Sequence, residues 1–133
     1  MTRRRATRDI ARRVSAAGPF AGTPPAQLRV VTPHVEVLTA AEDVALVRAG
    51  AAVREFYIVE SGSIDVHDDG RIVDVLVAGE CSDPRPLLTR MPSAYELTAA
   101  RGSVVLILDR RQFVTALDVV PGFARRLLTS LAT

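Results

Sequence analysis

The chain has 133 residues, 48% of them apolar, which is enough for one buried core and one domain. No run of about 18 uninterrupted apolar residues occurs. Even the most apolar stretch, Ser103 to Leu108, runs straight into Asp109, Arg110 and Arg111, which excludes a membrane span. The net charge of +2 is uneven: residues 1–13 hold six arginines and one aspartate, or +5, which leaves −3 on the remainder. Residues 1–17 read as a basic N-terminal helix, helical from about Ala6 to Ala16, with Ile10 and Val14 at i, i+4 and Gly18-Pro19 ending it. Residues 18–133 read as the second unit, a barrel with C-terminal helices. Thr23 is placed to cap a short turn, with Pro24 at its first helical position.

After Leu28 the period changes. Val35 and Val37, then Leu46 with Arg48, then Tyr57 to Ser61 are short β-branched or aromatic runs separated by Gly50 and Gly62, which predicts strands. The clearest hairpin runs from Ser63 to Leu76. Ile64 and Val66 face one way, Ser63, Asp65 and His67 the other, and Asp69-Gly70 supplies the turn. Gly79 opens an irregular stretch containing Pro84, Pro86 and Pro92, after which Glu96–Ala100 and Ser103–Leu108 return to strand character. Asp109 is a helix cap, Phe113 and Leu117 share a face, and Pro121 starts a last helix carrying Phe123, Leu127, Leu128 and Leu131. About eight short strands at regular spacing, with helices at both ends, predict an all-β jelly-roll-like barrel, a double-stranded β-helix.

These residues resemble a known family. Pro19 to Leu28, Val47-Arg-Ala-Gly50, Phe56 to Val66, Gly79-Glu80, Leu87-Leu88, Pro92, Ala99 and Val104 to Asp109 follow the order and nearly the spacing of the cyclic-nucleotide-binding domain. The resemblance covers nearly the whole chain. It implies a ligand pocket between the barrel and a short helix, the phosphate-binding cassette, of pattern Gly-Asp-x-Phe-Gly-Glu-x-Ala-Leu-Leu-x-x-x-Pro-Arg-x-Ala. The interval Gly79–Tyr95 keeps that frame as far as Pro92 without a gap but changes its functional positions. Asp83 stands for the second glycine, Pro84 for the ribose-binding glutamate, Pro86 for the alanine and Ser93 for the phosphate-binding arginine. The candidate ligand-binding residues of this degenerate cassette are Gly79, Asp83, Arg85, Leu87, Leu88, Arg90, Ser93, Ala94 and Tyr95.

A cyclic phosphate is held where a helix start offers unpaired N–H groups, a favourable dipole end and a nearby guanidinium. Pro84 and Pro86 have no N–H to donate. Asp83 before Pro84 makes a cap and first-position pair whose carboxylate satisfies the remaining donors from within the protein. Tyr95, where the family keeps a small residue, is placed to fill the vacated pocket. Arg85 and Arg90 are the two cations able to grip a different anion from another angle, against the simpler reading that both face solvent.

Other chemistry finds less support. Only His34 and His67 are present, with no His-x-His pair, so no metal site is expected. Asp65, Asp68, Asp69 and Asp74 lack a calcium-loop spacing and read as a solvated acidic turn. No nucleophile elbow or glycine-rich phosphate loop occurs, so neither catalysis nor a cofactor is expected. Cys81 cannot form an internal disulfide, and its neighbours Glu80 and Asp83 raise its pKa, which favours a structural role. With no apolar stretch behind the first arginines to make a secretory signal, the expected location is the cytoplasm.

Three functions follow as expectations. The first is a non-enzymatic regulatory or interaction module that does not bind cyclic AMP or cyclic GMP in the family's way and contacts another protein or itself. The second is a sensor of a cyclic nucleotide or other anionic metabolite held by Arg85 or Arg90. The third is a nucleic-acid-associated protein using the arginine-rich start, disfavoured by the acidic body and by the lack of room for a recognition helix after the barrel.

Overall fold

The computed structural model describes residues 2–5, as backbone, and 10–131. Eight strands form two four-stranded antiparallel sheets in a jelly-roll arrangement. The first has the order β1 (Thr2–Arg5), β2 (Glu36–Thr39), β8 (Val104–Asp109), β4 (Glu55–Ser61). The second has the order β3 (Val44–Val47), β7 (Glu96–Ala99), β5 (Ser63–Asp68), β6 (Arg71–Val77). No helix among the described residues is long and apolar enough to cross a membrane.

Strands β8 and β4 are apolar at successive positions because both of their faces are covered. Val105, Ile107, Tyr57 and Val59 point between the sheets, where they meet Leu38, Ile64 and Ala99. Leu106, Leu108, Phe56 and Ile58 point the other way, into a second core roofed by helices. That outer core contains all four phenylalanines of the chain. Phe20 stacks on Phe123 with ring centres 4.4 Å apart, and Phe113 lies 4.6 Å from Phe56 and 5.5 Å from Phe123. Helix α3 (Arg110–Val119) starts as expected at Asp109, whose carboxylate accepts the Gln112 N–H at 2.8 Å while the Gln112 side chain accepts the Asp109 N–H at 2.7 Å.

The expected helix over residues 1–17 is corrected in part. Thr2–Arg5 pairs with β2 as an edge strand, and α1 covers only Ile10–Ser15; Ala6–Asp9, where that helix was to begin, lie outside the described residues. Edge pairing uses backbone groups alone, so three arginines do not prevent it and leave no periodic signal. The α1 stripe holds: Ile10 and Val14 are buried in the same core as the phenylalanines. The turn after Thr23 sits one residue later than expected, with Pro24 at the cap and Pro25 as the first residue of a 3-10 turn, Pro25–Leu28. Thr23 instead accepts a hydrogen bond from Arg126 at 2.6 Å. In α4 (Phe123–Leu131) only Phe123 and Leu127 are buried, while Leu128 and Leu131 stand in solvent.

The hairpin forms as expected, with both Asp69 and Gly70 at positive φ. Its second strand, β6, is an edge, and most of it is exposed. The N–H groups of Val75 and Val77 bond the Asp74 and Glu80 carboxylates at 2.8 Å, so part of this edge is closed by side chains.

Candidate functional site: an acidic cleft beneath a short helix

A cleft of about 440 Å³ opens between the second sheet, β4 and the segment that follows β6. The barrel contributes its walls. Val66 on β5, Leu97 on β7 and Tyr57 on β4 form the back, and Val73, Asp74 and Leu76 on β6 form one side. Leu76 pairs with Ile64 and faces inward with the buried side of β5, while Asp74, paired with Val66, borders the cleft and is exposed. The opposite side is built from Ser82, Asp83, Pro86 and the Ser93-Ala94-Tyr95 stretch.

The short helix α2 (Arg85–Thr89) occupies the position of the cassette helix. Pro84 is its cap residue in helical conformation, and its first backbone bond is Leu88 N–H to Pro84 C=O at 3.0 Å. Asp83, one residue earlier than a conventional cap, accepts the Arg85 N–H at 2.9 Å. The Arg85 guanidinium folds back onto the same carboxylate, Nη2 lying 2.7 Å from Oδ2. Partial burial pushes the Asp83 carboxyl up, but the hydrogen bonds and charge of Arg85 outweigh it and hold it below the ordinary carboxylate range. Ser93 is buried, and its hydroxyl donates to the Tyr95 carbonyl at 2.6 Å.

Four of the nine candidate residues, Asp83, Ser93, Ala94 and Tyr95, line this cleft. The other five lie elsewhere. Leu87 is buried in the outer core and Leu88 packs against it. Gly79, at φ +90°, donates to the Val59 carbonyl and borders a separate groove beside Arg12 and Arg13. Arg85 is turned outward with Asp83, and Arg90 ends α2 in left-handed conformation, exposed. Tyr95 does not fill the pocket: it is 44% exposed and forms part of the wall.

The residues that sequence reading missed are Val53, Glu55, Tyr57, Val66, Val73, Asp74, Leu76, Ser82 and Leu97, while Pro86 had been read as a cassette position. The alternation of the hairpin already assigned Val66 to the inner face. Asp74 read as part of a solvated turn; it is exposed, and it also borders the cleft. The cleft therefore carries three carboxylates, Glu55, Asp74 and Asp83, and among its described lining residues no arginine or histidine. No group of three metal-ligating side chains occurs among the described residues. Cys81 is half-buried, and its thiol is pushed up to about 11, by burial first and by Glu80 and Asp83 in addition, against a lowering hydrogen bond with Ser130. The sequence had named the two charges but not the burial.

A two-sheet jelly roll with helices at both ends and a short helix beside an inward-facing cleft is the fold class that the resemblance implied. The family description "Cyclic nucleotide-binding domain" matches residues 37–119, and the chain belongs to that family. It is 35% identical over 80 residues to the HTH-type transcriptional regulator Cmr of Mycobacterium tuberculosis, a match covering 57% of this chain and 33% of that protein. A variant of a cAMP-binding acyltransferase from Mycobacterium smegmatis superposes with a TM-score of 0.76 and 28% identity over 90% of this chain and 38% of that one. The sensor domain of the transcriptional regulator DNR from Pseudomonas aeruginosa shares the fold, with a TM-score of 0.74 at 16% identity over 92% of this chain and 90% of that one. The chain thus spans about a third of the length of the curated regulator it matches. It is a regulatory domain of the cyclic-nucleotide-binding type.

Proposed function

We propose that this domain is a non-enzymatic regulatory module that does not hold cyclic AMP or cyclic GMP through the family's cassette. The observation that carries this reading is the lining of the cleft, which holds Glu55, Asp74 and the Arg85-paired carboxylate of Asp83 but, among its described residues, no arginine or histidine to meet an anion. The helix start supports it: Asp83 already takes the Arg85 N–H, and Pro84 and Pro86 offer none. The loss of one charge-assisted hydrogen bond costs about 1.5–3 kcal/mol and each neutral one about 1. A missing arginine, glutamate and amide together remove about 4 kcal/mol, or roughly a thousandfold in affinity.

The alternative of an anion held by Arg85 or Arg90 finds no support in their placement, since neither lines the cleft and Arg85 is committed to Asp83. In both Cmr and the acyltransferase the matched stretch is a minor part of a longer protein. The module acts through contact with another protein or a second copy, and Leu128 and Leu131 on α4 are apolar side chains such a contact would cover. Calorimetric titration with cyclic AMP and cyclic GMP tests the proposal. No saturable binding is expected, and a dissociation constant in the low micromolar range or tighter would overturn it.

A further inference from the structure

Strand β6 carries four of the ten exposed large apolar side chains among the described residues: Ile72, Val73, Val75 and Val77. Three of them share a face. Ile72 pairs with His67, Val75 with Asp65 and Val77 with Ser63, and those β5 residues alternate with the buried Ile64 and Val66. The row therefore lies on the outer face of the second sheet, beside a polar β5 column and with no further strand beyond it. Apolar side chains gathered on one exposed edge strand are the raw material of an edge-to-edge contact.

The backbone of this edge is held only by side chains. The Val75 N–H bonds the Asp74 carboxylate and the Val77 N–H bonds the Glu80 carboxylate, both at 2.8 Å. These two N–H groups thus point away from β5, in the direction a further strand would pair. Arg71, at the start of the strand, is exposed and makes no hydrogen bond or ion pair among the described residues. The edge carries an uncommitted cation at one end, a carboxylate at the other and valines between them.

We infer that β6 is the surface through which two copies of this chain associate, edge to edge and antiparallel, about a twofold axis at Val75. Antiparallel order makes the strand complementary to itself. Arg71 lies four residues before Val75 and Glu80 five after it, so each copy's cation comes beside the other copy's carboxylate. An axis at Asp74 would instead set two carboxylates directly opposite each other, whereas at Val75 the valines of each strand lie against those of the other. No donor is stranded by the exchange. The Val77 N–H passes from Glu80 to a backbone carbonyl of the second copy, and Glu80 takes the second copy's Arg71. The Val75 N–H likewise leaves Asp74, whose carboxylate is exposed to water. The two four-stranded sheets become one sheet of eight strands. A second copy as the partner rests on the interaction role proposed above, and it draws on β6 alone, not on α4.

The test is sedimentation equilibrium of the full chain at pH 7 over roughly 5–200 µM, a range suited to a small interface. A monomer–dimer equilibrium is expected, with a dissociation constant on the order of 10–100 µM. Val75→Lys, at an exposed position, is expected to keep the circular dichroism spectrum and to weaken association by about tenfold or more. Arg71→Glu and Glu80→Arg are each expected to weaken it about three- to tenfold, and the two together to restore it, because the swapped charges meet again across the twofold. A chain that stays monomeric at roughly 200 µM would overturn the inference. So would a dimer that ignores Val75→Lys, or a charge swap that restores nothing. Dissociation by Leu128→Glu but not by Val75→Lys would move the contact to α4 and overturn it as well. None of these results bears on cyclic-nucleotide binding, which the calorimetric titration decides separately.

Discussion

Restoring the cassette should create affinity for a cyclic nucleotide. The combined change Asp83→Gly, Pro84→Glu, Pro86→Ala and Ser93→Arg frees the Arg85 N–H now bound to Asp83 and restores an amide at position 86. It also places a guanidinium at a buried position on the cleft wall. The new arginine and glutamate contribute about 1.5–3 kcal/mol each and the freed amide about 1. Against these gains stands the loss of the Ser93 hydroxyl bond to the Tyr95 carbonyl, 2.6 Å long at present. Glu55 and Asp74 line the same cleft and compete for the new guanidinium. The net gain should therefore fall at the lower end, about 4 kcal/mol or roughly a thousandfold. Binding too weak to measure at millimolar ligand would move to roughly micromolar. Titration with cyclic AMP reads the affinity, and circular dichroism confirms the fold. A well-folded variant with no measurable affinity would refute the placement of residues 79–95 as a cassette.

The remaining predictions concern stability. Gly62 sits at φ +79°, and a Cβ there would lie 2.7 Å from the Ser103 Cα, so Gly62→Ala should cost about 2–4 kcal/mol in urea unfolding. A loss below about 1 kcal/mol would mean that the β4–β5 corner gives way more easily than its close approach implies. Phe113→Ala removes a fully buried ring packed against two others and should cost about 3–5 kcal/mol. A much smaller cost would show that the outer core collapses into the space. The Asp83 carboxyl is held low in the folded state, so its contribution is complete above the ordinary aspartate value of about 3.9 and is lost as pH falls through the lowered folded value. Because its side chain and that of Arg85 are 44% and 73% exposed, the effect is small and screened. Asp83→Asn should leave the unfolding midpoint at pH 7 nearly unchanged and flatten the acid-side loss below about pH 4; a large drop at pH 7 would contradict this.

What could be read from residues alone was whatever local periodicity and turn chemistry dictate. Alternation at Ile64 and Val66 fixed the inner face of β5, Asp69-Gly70 fixed the hairpin turn, and Asp109 fixed the start of α3. The order of glycine and proline punctuation carried the family, and the prolines of residues 84 and 86 carried the loss of donors in the cassette. Tertiary contact decided the rest. Thr2–Arg5 became a strand because β2 offered an edge, a backbone interaction that leaves no side-chain pattern. Arg85 turned from a candidate ligand-holder into the partner of Asp83 because the two lie within reach at the start of a short helix. The acidity of the cleft was the least visible feature. Glu55, Asp74 and Asp83 come from three separate segments, and only the packing of the sheets brings them to line one cleft.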